Sequence, residues 1–203
     1  MYFNDPFARL PEVPSFTLSS KDVSDGEPLP LAQWSGIFGV PGGGDVSPHL
    51  SWSGAPEGTK GYAVTVYDPD APTGSGFWHW AVANIPASVT ELAGDAGNGT
   101  GELLPPGAVQ LPGDAGAARF IGAAPPAGHG PHRYFIVVQA LDVEDIGVKA
   151  NTTPALLGFR ISGHVLGRAV LTATAETAET AETAETAETA ETAETAETAE
   201  TAV

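Results

Sequence analysis

The chain has 203 residues, 42% of them hydrophobic, with 25 glycines, 18 prolines, no cysteine and a formal net charge of −17. That length suits one domain with an appendage, and the glycine and proline content favours many turns over long helices. The acidity argues against a phosphate-backbone partner, so no nucleic acid is expected; the missing cysteines exclude disulfides, thiolate metal sites and cysteine nucleophiles.

The charge is unevenly spread. The last thirty residues carry nine glutamates and no base, and −17 less those nine leaves −8 on the remainder, so the body is acidic as well. No apolar run approaches the ~20 residues of a membrane span. The start, Met1-Tyr2-Phe3-Asn4-Asp5-Pro6, has neither the basic nor the apolar part of a signal peptide. The expectation is a cytoplasmic protein without a transmembrane segment.

Residues 1–15 are punctuated by proline and read as an extended arm. Phe16–Ser20 alternates as a first short strand, and Leu50-Ser51-Trp52 alternates again. Two runs rich in valine and aromatics follow, Gly61–Tyr67 and Phe77–Ile85, around a loop with Pro69, Pro72, Gly74 and Gly76. This predicts strand, constrained loop, strand. Residues 87–128 show little periodicity and form one long excursion. Arg133–Leu141 carries apolar residues on both faces, Tyr134, Ile136, Val138 and Ala140 against Phe135, Val137 and Leu141. That pattern predicts a central strand buried on both sides.

Thr153-Pro154 has the form of an N-cap followed by proline at the first helical position. The apolar residues Leu156, Leu157, Phe159, Ile161, Val165, Leu166, Ala169 and Val170 then predict a helix. Gly158, Gly163 and Gly167 each cost it about 1 kcal/mol against alanine, which close packing on the sheet would explain. From Thr174 the sequence is a Thr-Ala-Glu triplet repeated to Ala202. A period of three keeps no side chain on one face of a 3.6-residue helix, so a solvated tail is expected, with at most a fraying helix near Thr174. The resulting division is 1–15 arm, 16–173 domain and 174–203 tail.

The chemistry gathers at two places. Asp68 and Asp70 stand where the first central strand gives out, and His79 stands early in the next. An Asp before Pro starts turns through its own backbone, and that role covers one of the two carboxylates but hardly both. A histidine between Trp78 and Trp80 also fits a satisfied core residue. His132 and Tyr134 are two apart on a strand and project to one face, with Arg133 on the other. Imidazole and phenol together offer N–H and O–H donors.

Asp68-Pro69-Asp70-Ala71-Pro72, His79 and Gly130-Pro131-His132-Arg133-Tyr134 resemble the two signature motifs of the phosphatidylethanolamine-binding protein (Raf kinase inhibitor) family. Ser47-Pro48 with Trp52, and Gly76-Phe77-Trp78-His79-Trp80, are similar to its bacterial YbhB/YbcL-like branch. The resemblance runs from about Phe16 to about Leu171. It implies a mainly β fold, a sandwich of a large antiparallel sheet and a smaller one, with a C-terminal helix. It also implies a preformed pocket for a small anionic or phosphorylated ligand such as a phospholipid head group. Carried over residue by residue, the pocket is Asp68, Asp70, His79, His132 and Tyr134, with Pro72 and Pro126 shaping its walls. No catalytic residue, metal or cofactor is implied. The family often has glycine where this chain has Ala124, and the C-terminal segment that covers the pocket in animal members has no counterpart here.

Two other readings stay open. One is a metal-dependent hydrolase built on the Asp/His cluster, although no His-x-His or His-x-x-x-His pair lies on one element. The other is a regulator of a kinase or protease acting through the pocket rim. Whether the chain pairs into a homodimer is also open.

Overall fold

The computed structural model describes residues 5–179. Most of the Thr-Ala-Glu repeat, residues 180–203, and residues 1–4 lie outside the described part.

The strongest apolar runs form the middle of a five-stranded antiparallel sheet. In chain order its members are β3 (Gly61–Asp68), β4 (Phe77–Pro86), β6 (Val109–Leu111), β7 (His132–Leu141) and β8 (Val165–Ala175), and they lie side by side as β6-β4-β3-β7-β8. A second antiparallel sheet has the order β1-β2-β5, from β1 (Thr17–Ser19), β2 (Leu50–Ser53) and β5 (Glu91–Leu92). The mainly β, two-sheet expectation holds, with one α-helix among the described residues, α1 (Pro154–Ile161), towards the C-terminal end.

Strand β7 is buried on both faces because each face has its own cover. Tyr134, Ile136, Val138 and Ala140 join Leu50 and Trp52 of the small sheet in the main core. On the outer face Leu141 joins Ala63, Ala81 and Ala83 beneath Leu157 and Ile161 of α1. Alanines at these sheet positions leave room for the helix to lie close. Its start is fixed as the sequence suggests: the Thr153 hydroxyl accepts from Leu156 N at 3.2 Å, a cap worth about 1 kcal/mol, with Pro154 next in line.

The helix stops far sooner than expected. Ser162 closes it, and Val165 begins β8, which pairs with β7 along its whole length, from Leu141↔Val165 to His132↔Ala175. The buried face of β8 is Gly167, Ala169, Leu171, Ala173 and Ala175. These residues have little strand preference of their own, and pairing with β7 decides the matter. Of the three glycines assigned to close helix packing, only Gly167 is crowded, against Pro56 and the Pro14 carbonyl, and it lies in the strand. Gly158 and Gly163 have open space where a Cβ would stand. Strand β8 also takes in the first two residues of the repeat, where the sequence suggested fraying helix: Thr174 N donates to Glu27 O, and Ala175 is buried. The excursion at 87–128 contains two short strands that periodicity could not show, β5 and β6.

The arm turns at residues 6–9 before it runs extended, so it is not extended throughout. Phe7 packs edge-on against Phe135 at 5.6 Å, and Arg168 N donates to Pro14 O at 3.0 Å. The arm thereby crosses the outer face of β7 and β8. Among the described residues no helix is long and apolar enough to cross a membrane.

Candidate functional site

Asp68 is the last residue of β3, and His132 is the first of β7. The two strands are neighbours, and their ends bring Asp68 Oδ2 to 2.7 Å from His132 Nδ1, with both side chains buried. The other carboxylate oxygen, Oδ1, accepts from the backbone N–H groups of Asp70 (2.7 Å) and Ala71 (3.1 Å). Asp68 therefore serves both as the turn-former and as the histidine's partner. An ionised carboxylate only accepts, so His132 carries its proton on Nδ1. Its Nε2 lies 2.7 Å from Nδ1 of His129, and one proton is shared between those two nitrogens. His132 thus has both ring nitrogens engaged.

His79 is held differently. Its Nδ1 donates to the carbonyl of Ile121 at 2.8 Å, which fixes the tautomer. Among the described residues its buried Nε2 has no hydrogen-bond partner. Burial pushes the imidazole pKa down, outweighing the Ile121 carbonyl and the charge of Asp68. A neutral ring donating from Nδ1 presents a bare lone pair at Nε2. The Tyr134 ring packs against this ring at a steep angle, 62° between planes and 5.1 Å between centroids. Burial, then the charges of Asp68 and Asp70, pushes the Tyr134 phenol far up, so it remains a donor.

These groups line a cavity of about 220 Å³. Asp68, Pro72, His79, Pro126, His132 and Tyr134 are in its wall, together with Phe38, Ala71, Thr73, Phe77, Ala124 and Pro125. No lysine or arginine is among them. Two backbone devices shape it. Gly76, at φ +71°, closes the β3–β4 loop where a Cβ would collide with the Tyr67 side chain and the Asp68 carbonyl. Across the cavity, Asp45 accepts from Gly122 N (2.8 Å) and Ile37 N (2.9 Å), which ties the Phe38 loop to the segment leading into Ala124.

Asp70, expected in the pocket, is not in this wall. Its carboxylate grips Arg133 in a bidentate pair, Nε to Oδ2 and Nη2 to Oδ1, both 2.7 Å, and accepts from Arg133 N at 3.0 Å. Burial raises its pKa, but the bonds to Arg133 outweigh that and hold it below the usual carboxylate value. The cause is the alternation already noted: Arg133 projects away from His132 and Tyr134, and Asp70 follows it. His129 was not singled out by the sequence. It lies in a proline-glycine loop, and only the curl of that loop brings it to His132. Among the described residues no group of three or more His, Cys, Asp or Glu is arranged to hold a metal.

The start of the repeat reaches this neighbourhood. Gly128 N, in the His129 loop, donates to Thr177 O at 3.2 Å.

Residues 19–176 match the family model described as phosphatidylethanolamine-binding protein. The chain is 49% identical over 162 residues to protein YbcL of Escherichia coli (strain K12), covering 80% of this chain and 88% of that one. It is 44% identical over 156 residues to YbhB of the same organism, covering 77% and 97%. The crystal structure of E. coli YbcL superposes with a TM-score of 0.77 over 80% of this chain and 98% of that one, at 49% identity. A phosphatidylethanolamine-binding protein homologue from Chlamydia trachomatis gives a TM-score of 0.66 at 30% identity, over 80% and 97%. The two-sheet architecture, the matched span and these relatives agree, and the chain belongs to the phosphatidylethanolamine-binding protein family.

Proposed function

We propose that the chain is a binding protein rather than a catalyst, that the cavity between Asp68, His79, His132 and Tyr134 receives a small phosphoryl head group, and that binding brings one proton into the site. The observation that carries this is the unpartnered, buried Nε2 of His79 in the cavity wall. A buried acceptor without a donor is costly, by about 1–3 kcal/mol. With the Asp68 carboxylate nearby and no lysine or arginine in the wall, a fully ionised dianion is poorly matched. A phosphomonoester has its second pKa near ~6 and therefore supplies a P–OH donor at little cost around neutral pH. That hydroxyl donates to His79 Nε2, and Tyr134 donates to another phosphoryl oxygen. Protonation of His79 on arrival of the dianion gives the same net uptake.

Calorimetry with O-phosphorylethanolamine, in buffers of differing ionisation enthalpy, measures the proton directly. The expected result at pH 7.5 is uptake of about one proton and affinity that rises towards pH 6, as the ligand arrives already protonated. Sulfate, which carries no proton in this range, should bind at least about tenfold weaker, the cost of one hydrogen bond to a charged group. Equal binding of sulfate without proton uptake overturns the reading. Binding lost on adding chelator, or metal-dependent turnover of a phosphate ester, favours the hydrolase instead.

A second reading is favoured by Phe38, in the cavity wall and 50% exposed, and by its chain neighbour Ile37, 53% exposed. A protein partner such as a kinase or protease would bury them while its anionic side chain enters the cavity. Ile37→Ser should then abolish capture of that partner and leave O-phosphorylethanolamine affinity unchanged.

A further inference from the structure

A larger cavity, about 310 Å³, lies on the opposite face of the five-stranded sheet, between that sheet, α1 and the arm. Its wall includes Tyr67 and Trp78 of the sheet, Ile161 of the helix and Val13 of the arm. It shares no wall residue with the first cavity. Most of it is apolar, but two polar groups face each other across paired strands: Gln139 of β7 and Arg168 of β8 are register partners. Gln139 Oε1 and Arg168 Nε are both buried, and among the described residues neither has a hydrogen-bond partner. Among the described residues no carboxylate pairs with Arg168, and its guanidinium rests on the ring of Phe7 at 5.3 Å. Among the described residues Arg168 is the only charged one in the wall. Native proteins rarely leave buried polar atoms unpaired, and here the buried atom is the Nε–H of a half-buried guanidinium. Burial alone pulls the Arg168 pKa down.

The helix keeps the space open. Ala155, Gly158 and Ser162 are its contributions besides Ile161, and a Cβ added at Gly158 meets no heavy atom within 4 Å. A glycine inside a helix costs about 1 kcal/mol against alanine, and here no close approach requires it. Leu10 of the arm, also in the wall, is 42% exposed. The size is that of the smaller ligand pockets of proteins, apolar with a few placed polar groups.

We propose that this cavity is a second binding site, taking a small amphiphilic carboxylate whose head pairs with Arg168 and whose hydrocarbon body lies between Trp78, Ile161 and the arm. The guanidinium Nε–H donates to one carboxylate oxygen. Gln139 turns its amide by half a turn and donates from Nε2 to the other.

Octanoate is the probe, and octanol, which has the same hydrocarbon body without the charge, is the control. Calorimetry on the full chain should show saturable one-to-one binding of octanoate and binding of octanol about ten- to a hundredfold weaker, as for loss of a charge-assisted hydrogen bond. Arg168→Met should weaken octanoate to the level of octanol, and Arg168→Lys should restore most of the difference. Gly158→Phe fills the cavity mouth and should abolish binding with the melting temperature equal to or above the parent's, which separates occlusion from misfolding. Saturating O-phosphorylethanolamine should not displace octanoate. No saturable binding by the parent, equal affinity for octanol, or octanoate binding untouched by both Arg168→Met and Gly158→Phe would overturn the proposal.

Discussion

Asp68 and His132 are 64 residues apart in the chain and 2.7 Å apart in space, and each is buried. Asp68→Asn keeps the turn acceptor at Oδ1 but loses the charge that His132 Nδ1–H bonds to. The expected cost is about 1–3 kcal/mol, several degrees of melting temperature for a domain this size. Asp68→Ala should cost more, because the turn bonds to Asp70 N and Ala71 N go too. Thermal melts of both variants against the parent check the order; Ala no worse than Asn would show that the turn bonds contribute nothing.

His79 makes the fold sensitive to acid. Its folded pKa is depressed by burial, so the unfolded chain binds that proton more readily. The stability it permits is fully present above the unfolded value, near ~6.5, and is lost as pH falls from there towards the folded pKa. His79→Asn can still donate to Ile121 O but cannot titrate. Denaturant midpoints at pH 7.5 and 5.5 should fall for the parent and change less for the variant. A pH slope of the same size in both would exclude His79 as its source.

The Asp70–Arg133 pair is a structural clamp. Asp70→Asn should lower stability by about 1–3 kcal/mol, the range for hydrogen bonds to charged groups. Because the folded pKa of Asp70 is lowered, its contribution is present above the unfolded value near ~3.9 and lost as pH drops through the folded one. O-phosphorylethanolamine affinity should be unchanged, since Asp70 is absent from the cavity wall. A loss of affinity beyond about threefold, more than ~0.6 kcal/mol, would return Asp70 to the pocket.

Truncation separates the strand from the repeat. Removal of residues 180–203 should leave the melting temperature within about 2 °C. Removal from Ala175 onward takes away a buried residue paired with His132, and should lower it by more than that. Equal melting temperatures would mean that the end of β8 adds nothing.

The parts of the fold legible in the sequence were those whose side chains state their environment. Strands β3, β4 and β7 are rich in valine, alanine and aromatic residues and buried on both faces, so their apolar runs identify them. Thr153-Pro154 marks the helix start by local chemistry alone. Strand β8 was not legible because its buried face is mostly Gly and Ala, and its leading leucines and valines mimic a helical stripe; β7 supplies the deciding hydrogen bonds. For the site, the wall positions of Asp68, Pro72, His79, Pro126, His132 and Tyr134 could be anticipated from the motifs. Which of two equivalent aspartates meets Arg133, and that His129 reaches His132, depend on register and loop curl over long sequence separations. The unpaired nitrogen of His79 required the position of the Ile121 carbonyl, 42 residues away.

The hydrogen bond from Gly128 to Thr177 lies within the first two triplets of the repeat, and the last strand ends on Ala175. A sequence that repeats every three residues is unchanged at its beginning when a triplet is lost or gained further on. Residues 174–179 would read Thr-Ala-Glu-Thr-Ala-Glu at any copy number of two or more. Slippage in units of one triplet alters the length by three residues and the charge by one glutamate each time, while the pairing of β8 and the bond from the His129 loop fall on the same residue types as long as two triplets remain.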